Sequence, residues 1–149
     1  MSITTERPVA LADHTVVLDP VRHGLVDPVG GSRDLDAMLD EAREAEEAGA
    51  TTVVVPAANA GAPEPRHWPA TAQALAVLLA TTRVRVVVPI RARVWDLEAV
   101  VRFATSATGL AGDRLVVHVV GAGAESFARR LGERWPGTVV LGDTEPAAA

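Results

Sequence analysis

Four histidines and fourteen basic residues, every one of them arginine, are the groups through which this chain can hold or move charge. The absence of lysine excludes a lysine nucleophile, a lysine-derived Schiff base and a P-loop lysine. The absence of cysteine excludes disulfides, thiolate metal sites and a cysteine nucleophile. No His and carboxylate spacing matches a zinc or EF-hand site, so no metal is expected. Ser106, Ser126 and the threonines have no base partner visible in the sequence, and no hydrolase triad emerges.

The remaining candidates sit after β-branched runs. His23 follows the first of them in a glycine-bearing loop, where a neutral imidazole can orient a substrate or move a proton; the alternative is a solvated loop histidine. Arg91 and Arg93 follow the third run and can grip a sulfonate, carboxylate or phosphate through charge-assisted hydrogen bonds, or serve as solvated or interface arginines. His118 lies inside an apolar run, where alternation puts it on one face with Val116 and Val120. It reads either as a substrate-facing group or as a hydrogen-bonded core histidine. His67 and Trp68 belong to a proline-rich loop, in which Trp68 either shapes a pocket or anchors the loop to the core. Gly121-Ala122-Gly123 precedes a helix but does not complete a GxGxxG motif, because position 126 is Ser126, so a tight turn is the expectation.

These groups require elements to position them. β-branched, non-alternating stretches at residues 14–18, 51–55, 84–88, 115–120 and 138–141 read as strands covered on both faces, with Pro56 and Pro89 as stops. Leu35, Met38, Leu39, Ala42 and Ala45 recur at helical spacing, with Ser32 or Asp34 as cap and Gly49 as end. Further helices are expected from Pro69 to about residue 80, from the cap Asp96 to near Gly109, and over residues 125–134. Residues 1–13 and 142–149 are expected to be flexible.

The order βαβαβαβαβ predicts one α/β domain over residues 1–149 with about five parallel strands and four helices. With 149 residues, 48% of them hydrophobic, there is material for one core. A complete β/α barrel typically needs about 250 residues. Two architectures remain: a truncated TIM-type half-barrel, or an open doubly wound flavodoxin-like sheet. About fourteen residues with two prolines separate the first strand from its helix, unlike the short phosphate-binding turn of a flavodoxin. A net charge of −5 disfavours nucleic acid. No apolar run approaches the roughly 20 residues of a membrane span, and no signal segment is visible, so a cytoplasmic location is expected.

Several segments occur here in a telling series: Ser32-Arg33, Glu46-Glu47-Ala48-Gly49, Thr52-Val53-Val54-Val55-Pro56, Thr81-Thr82-Arg83-Val84-Arg85 and Gly112-Asp113-Arg114-Leu115. Over residues 15–123 that order resembles the first half of the luciferase-like flavin-dependent monooxygenases. Asp19-Pro20-Val21-Arg22-His23-Gly24 and Pro89-Ile90-Arg91-Ala92-Arg93-Val94 are most similar to the alkanesulfonate monooxygenase branch. The resemblance implies reduced FMN, or the deazaflavin F420, at the mouth of a barrel and oxidation of a small organic substrate. It also implies a polar residue facing the barrel interior at about His118. The family's flavin-phosphate loops lie in its second half, so no cofactor-binding residue carries over. An open edge and inner face imply a partner, either a homo-oligomer or a complementary luciferase-like chain. The alternatives are a non-catalytic accessory protein stabilising a full-length monooxygenase, or an independent small-molecule binder.

Overall fold

The computed structural model describes residues 2–4, 14–18, 31–55 and 69–142. In chain order the elements are β1 (Ser2–Thr4), β2 (Thr15–Val17), α1 (Gly31–Glu47), β3 (Thr52–Val54), α2 (Ala70–Ala80), β4 (Arg85–Arg91), α3 (Leu97–Ala111), β5 (Leu115–Val120), α4 (Ala124–Arg134) and β6 (Thr138–Leu141). All strand pairs are parallel, and the sheet order is β1-β6-β5-β4-β3-β2.

From β2 to β6 each strand lies beside its predecessor in the chain, and the order never reverses. All four helices contribute to one core cluster with Leu18, Val53, Val55, Val86, Val88, Ile90, Leu115, Val117, Val119 and Val139. The intervening strand residues Val54, Val87, Val116 and Val140 form a separate buried cluster. Because successive side chains on a strand point to opposite faces, the helices cover one face and this second cluster marks the other. Single-direction winding with helices on one side is how a β/α barrel is built, whereas a flavodoxin-like sheet reverses its order and takes helices on both faces.

Four local expectations change in the structure. Ser2–Thr4, within a stretch expected to be flexible, pairs with β6 as a sixth strand. Pro89 does not end β4, which runs on to Arg91. Arg85 N–H donates toward β3, to Thr51 O, and alternation turns the missing donor of Pro89 the same way, past Val54 where β3 has stopped. Val55 N–H still donates to Val87 O at 3.0 Å, so the missing donor falls at the last step of that ladder. Gly109 lies inside α3, and Gly112 at φ +83° closes that helix instead. Finally, α1 begins at Gly31, ahead of the expected caps Ser32 and Asp34. Asp96 does cap α3, its carboxylate accepting from Ala99 N–H at 3.1 Å, and Gly49 follows α1 at φ +98°.

Two charged side chains tie the returning turns together at the amino end of the sheet. The Arg114 guanidinium donates to Leu78 O at 2.6 Å, Thr81 O at 3.1 Å, Val84 O at 3.0 Å and Ala111 O at 3.3 Å. It thereby satisfies carbonyls that α2 leaves open as it ends, a placement the helix dipole also favours. Glu46, only 8% exposed, accepts from the backbone N–H groups of Thr82, Arg83 and Val84. Burial alone would raise its carboxyl pKa; the N–H groups of Arg83, Val84 and Thr82 and the Arg83 charge bring it below the ordinary value.

Glu46→Ala leaves these amides unpaired and is expected to destabilise the fold by about 2–4 kcal/mol in urea unfolding. Its native carboxyl has the lower pKa, so the stability it contributes is present above about pH 4.5 and lost as pH falls through the native value. Glu46→Gln, measured over the same range, is expected to flatten that acid limb.

Candidate functional site

The carboxyl ends of the strands bring together three of the residues singled out from sequence. Arg91 ends β4, Arg93 follows in the turn, and His118 lies within β5. Register pairs Pro89 with His118 and His118 with Val140, so the imidazole sits on the face away from the helices, in a row bounded by a proline and a valine. Arg91 pairs with Val120 one row higher, at the rim. Arg93 is exposed, in the turn beyond the end of β4. His23, His67 and Trp68 lie outside the described residues.

Only 1% of His118 is exposed, yet neither Nδ1 nor Nε2 has a hydrogen-bond partner among the described residues. The core-histidine expectation supposed a satisfied ring; among the described residues neither nitrogen is satisfied. Desolvation pushes its pKa down to about 4, so the ring is neutral at pH 7, with one nitrogen able to donate and the other to accept. Such a group cannot hold an anion by charge at neutral pH. It can hydrogen-bond a neutral polar group, and most buried polar atoms have such a partner.

Gly142, the residue after β6, lies directly over this ring: a Cβ there would stand 2.2 Å from Nε2. No signal in the sequence beyond its place after a strand marks this glycine. Below the ring the inward face is apolar, with Val54, Val87, Val116 and Val140 all buried. At the amino end of the same face, Arg85 reaches from β4 across β5 to donate to Thr138 Oγ1 at 3.2 Å. The inward face therefore runs from an arginine-closed floor through a dry valine layer to a neutral imidazole, with Arg91 above it.

The loop Gly121-Ala122-Gly123 is a turn, as expected, with φ near +84° at Gly121 and +83° at Gly123. A Cβ on Gly121 would meet Arg91 Cγ at 3.5 Å, which places the β5–α4 turn against that arginine's stem. Among the described residues no group of three or more His, Asp or Glu side chains is arranged to hold a metal ion. No described helix is long and apolar enough to cross a membrane.

No protein-family model matches the chain, and no curated protein sequence matches it. Solved structures do. The fold is similar to that of apo-MsnO8, at 17% identity and a TM-score of 0.55 over 80% of this chain and 36% of that one. It is also similar to the EDTA monooxygenase EmoA from Chelativorans sp. BNC1, at 16% identity and a TM-score of 0.55 over 84% of this chain and 32% of that one. The second is named as a monooxygenase. The likeness is one of fold. The chain spans about a third of the length of either protein.

The unpaired ring has a measurable consequence. Its native pKa lies below the value of about 6.5 in an unfolded chain, so full stability is present above pH 6.5. Between there and about pH 4 the unfolded state takes up a proton that the native state refuses, and up to about 3 kcal/mol is lost. His118→Leu is expected to remove that limb of the pH profile without lowering stability at pH 7, as read by chemical denaturation at a series of pH values. Gly142→Ala, which drives a methyl into Nε2, is expected to lower stability by about 1–3 kcal/mol in the same measurement.

Proposed function

We propose that this chain supplies part of a luciferase-like barrel whose completed mouth takes a reduced flavin and assists oxidation of a small organic substrate. The observation that carries the reading is His118: a buried imidazole with neither nitrogen partnered among the described residues, on the inward face of a sheet similar in fold to MsnO8 and EmoA. Luciferase-like ancestry at the finer level of the alkanesulfonate branch rests on the sequence resemblance in the loops after β2 and β4.

The described residues fit the ring end of a flavin, FMN or F420. Pro89, Val120 and Val140 would form an apolar wall, and His118 would meet a hydrogen-bonding ring edge or the substrate bound against it. Reduced flavin, when bound, would supply the electrons that let molecular oxygen oxidise the substrate. His118, neutral at pH 7, would orient by hydrogen bonding and not by charge. Arg91 at the rim would meet an anionic substrate group, with Arg93 a second cation nearby in the chain. No described residue is assigned to the flavin phosphate, whose holder belongs to whatever completes the barrel. His23 keeps its proposed role as a proton-handling group.

Completion calls for a partner, a further copy or a complementary luciferase-like chain. Anaerobic titration of the purified assembly with reduced FMN, and separately with F420, is expected to show saturable binding to one of them. His118→Leu is expected to weaken that binding by about tenfold, the loss of a buried hydrogen bond. Absence of saturable binding by either flavin sinks the catalytic reading; co-purification of a full-length monooxygenase would then favour the accessory role.

A further inference from the structure

One helix of the outer layer carries no charge at all. α2 runs from Ala70 to Ala80 without an acidic or basic residue, and a helix that is apolar all round is ordinarily buried all round. Here only one side is: Ala70, Ala74, Val77 and Leu78 face the core. The helical period places Ala72, Leu75, Ala76 and Leu79 on the opposite side, and Leu79 is 59% exposed.

The apolar surface continues onto α3. Glu98 and Thr108 face α4, where they accept from Arg134 and from the Trp135 indole that follows it. Phe103 and Leu110 fall on the other flank of α3, beside α2. Leu110 is 64% exposed. It lies at the same end of the layer as Leu79, because the one Arg114 guanidinium bonds the carbonyls of both Leu78 and Ala111.

Charge returns on either side of this surface, with opposite sign. The outward side of α1 exposes Asp36, Asp40, Glu44 and Glu47, and its Arg43 is bonded to Asp40 and to the Ala80 carbonyl. On the far side, α3 and α4 expose Arg102, Arg129, Arg130 and Arg134 against Glu98, Glu125 and Glu133. Arg134 bonds Glu98, so it and Arg130, one turn before it, lie on the flank of α4 nearer α3. Across α1, α2, α3 and α4 the order is acidic, apolar, apolar, basic.

That order selects the partner. A copy of the chain turned about a two-fold axis parallel to the helices presents the reverse order, which sets α2 against α3 and the acids of α1 opposite the arginines of α4. An axis across the helices would keep the order and set acid on acid. We infer that the uncharged face of α2 and α3 is the surface on which two copies of this chain associate, with the four helices parallel. A two-fold contact must be self-complementary, and the centre of an interface is depleted in charge. Ala72 and Ala76, one turn apart, let the helices approach toward the lower end of the usual separation of about 8–10 Å. The contact lies outside the helical layer, away from His118, and does not rest on the flavin reading.

Wild-type protein is expected to sediment at twice the 15.6 kDa chain mass. Leu79→Arg combined with Leu110→Arg, both at exposed positions, is expected to give single chains with the helical circular dichroism of the parent. The chain contains no cysteine, so orientation can be read by cross-linking. Chains carrying Leu79→Cys are mixed with chains carrying Leu110→Cys and oxidised; a disulfide between the two kinds can only join different chains. The parallel arrangement is expected to give more of this mixed product than either variant gives alone. A wild-type protein that stays single overturns the inference, including one that is single by itself and associates only with a full-length monooxygenase. So does a dimer that survives the paired arginines, and so does a preference of each cysteine variant for linking to its own kind.

Discussion

Everything in this fold hangs on returning a helix to the amino end of the sheet without leaving its last carbonyls bare. Arg114 performs that task for α2. A single guanidinium, set at the entry of β5, collects carbonyls from the end of α2, from the turn before β4 and from the end of α3. Three elements that are distant in the chain thus share one planar group whose five donors are fixed in direction. Glu46 answers it from α1, receiving three successive amides of the same turn. With that turn held from both sides, β4 enters the sheet in a register that sets the place of every residue up to Arg91.

The division between the two ends of the sheet follows from the same chemistry. At the amino end polar groups are numerous and satisfied: Thr81 and Arg114 bond mainly to backbone, and Thr82 to the Glu46 carboxylate. Toward the carboxyl end His118 is buried with no partner among the described residues. In β/α architectures the amino ends of the strands serve stability and the carboxyl ends serve ligands. Trp135 adds to the scaffold: its indole N–H donates to Thr108 Oγ1 at 3.2 Å, and Gly137 is the residue that leaves room for the ring, since a Cβ there would lie 2.1 Å from it.

Much of this was legible in the sequence. Continuous β-branched runs marked β2 to β6, most plainly β3 and β5, whose residues are buried on both faces, and the spacing of Leu35, Met38 and Ala42 marked α1 because one face of that helix meets the core. Ser2–Thr4 was not legible: three residues carry too little pattern, and their strand exists only because β6 offers an edge. Pro89 misled because the rule that proline ends a strand assumes a neighbour on its donor side, and β3 is too short to be one. The acidic end of α1 and the Gly112-Asp113-Arg114 entry were visible as part of a resemblance, but their work as clamps depends on turns more than thirty residues away in the case of Glu46. The isolation of His118 was beyond reach for a related reason: alternation gives its face, whereas its partners, or their absence, are settled by Gly142 and the strands on either side.

The position of β1 also bears on the order in which the molecule is made. From β3 to β6 every strand docks on the one made just before it, across a single helical crossover, so the sheet can grow outward in chain order. β1 breaks that sequence. It is made before the other described strands and its site does not exist until β6 has been made, so it is among the last elements to settle. Until then β1 has no edge to pair with, and its ladder is the one contact of the described sheet that waits for the whole run from β2 to β6.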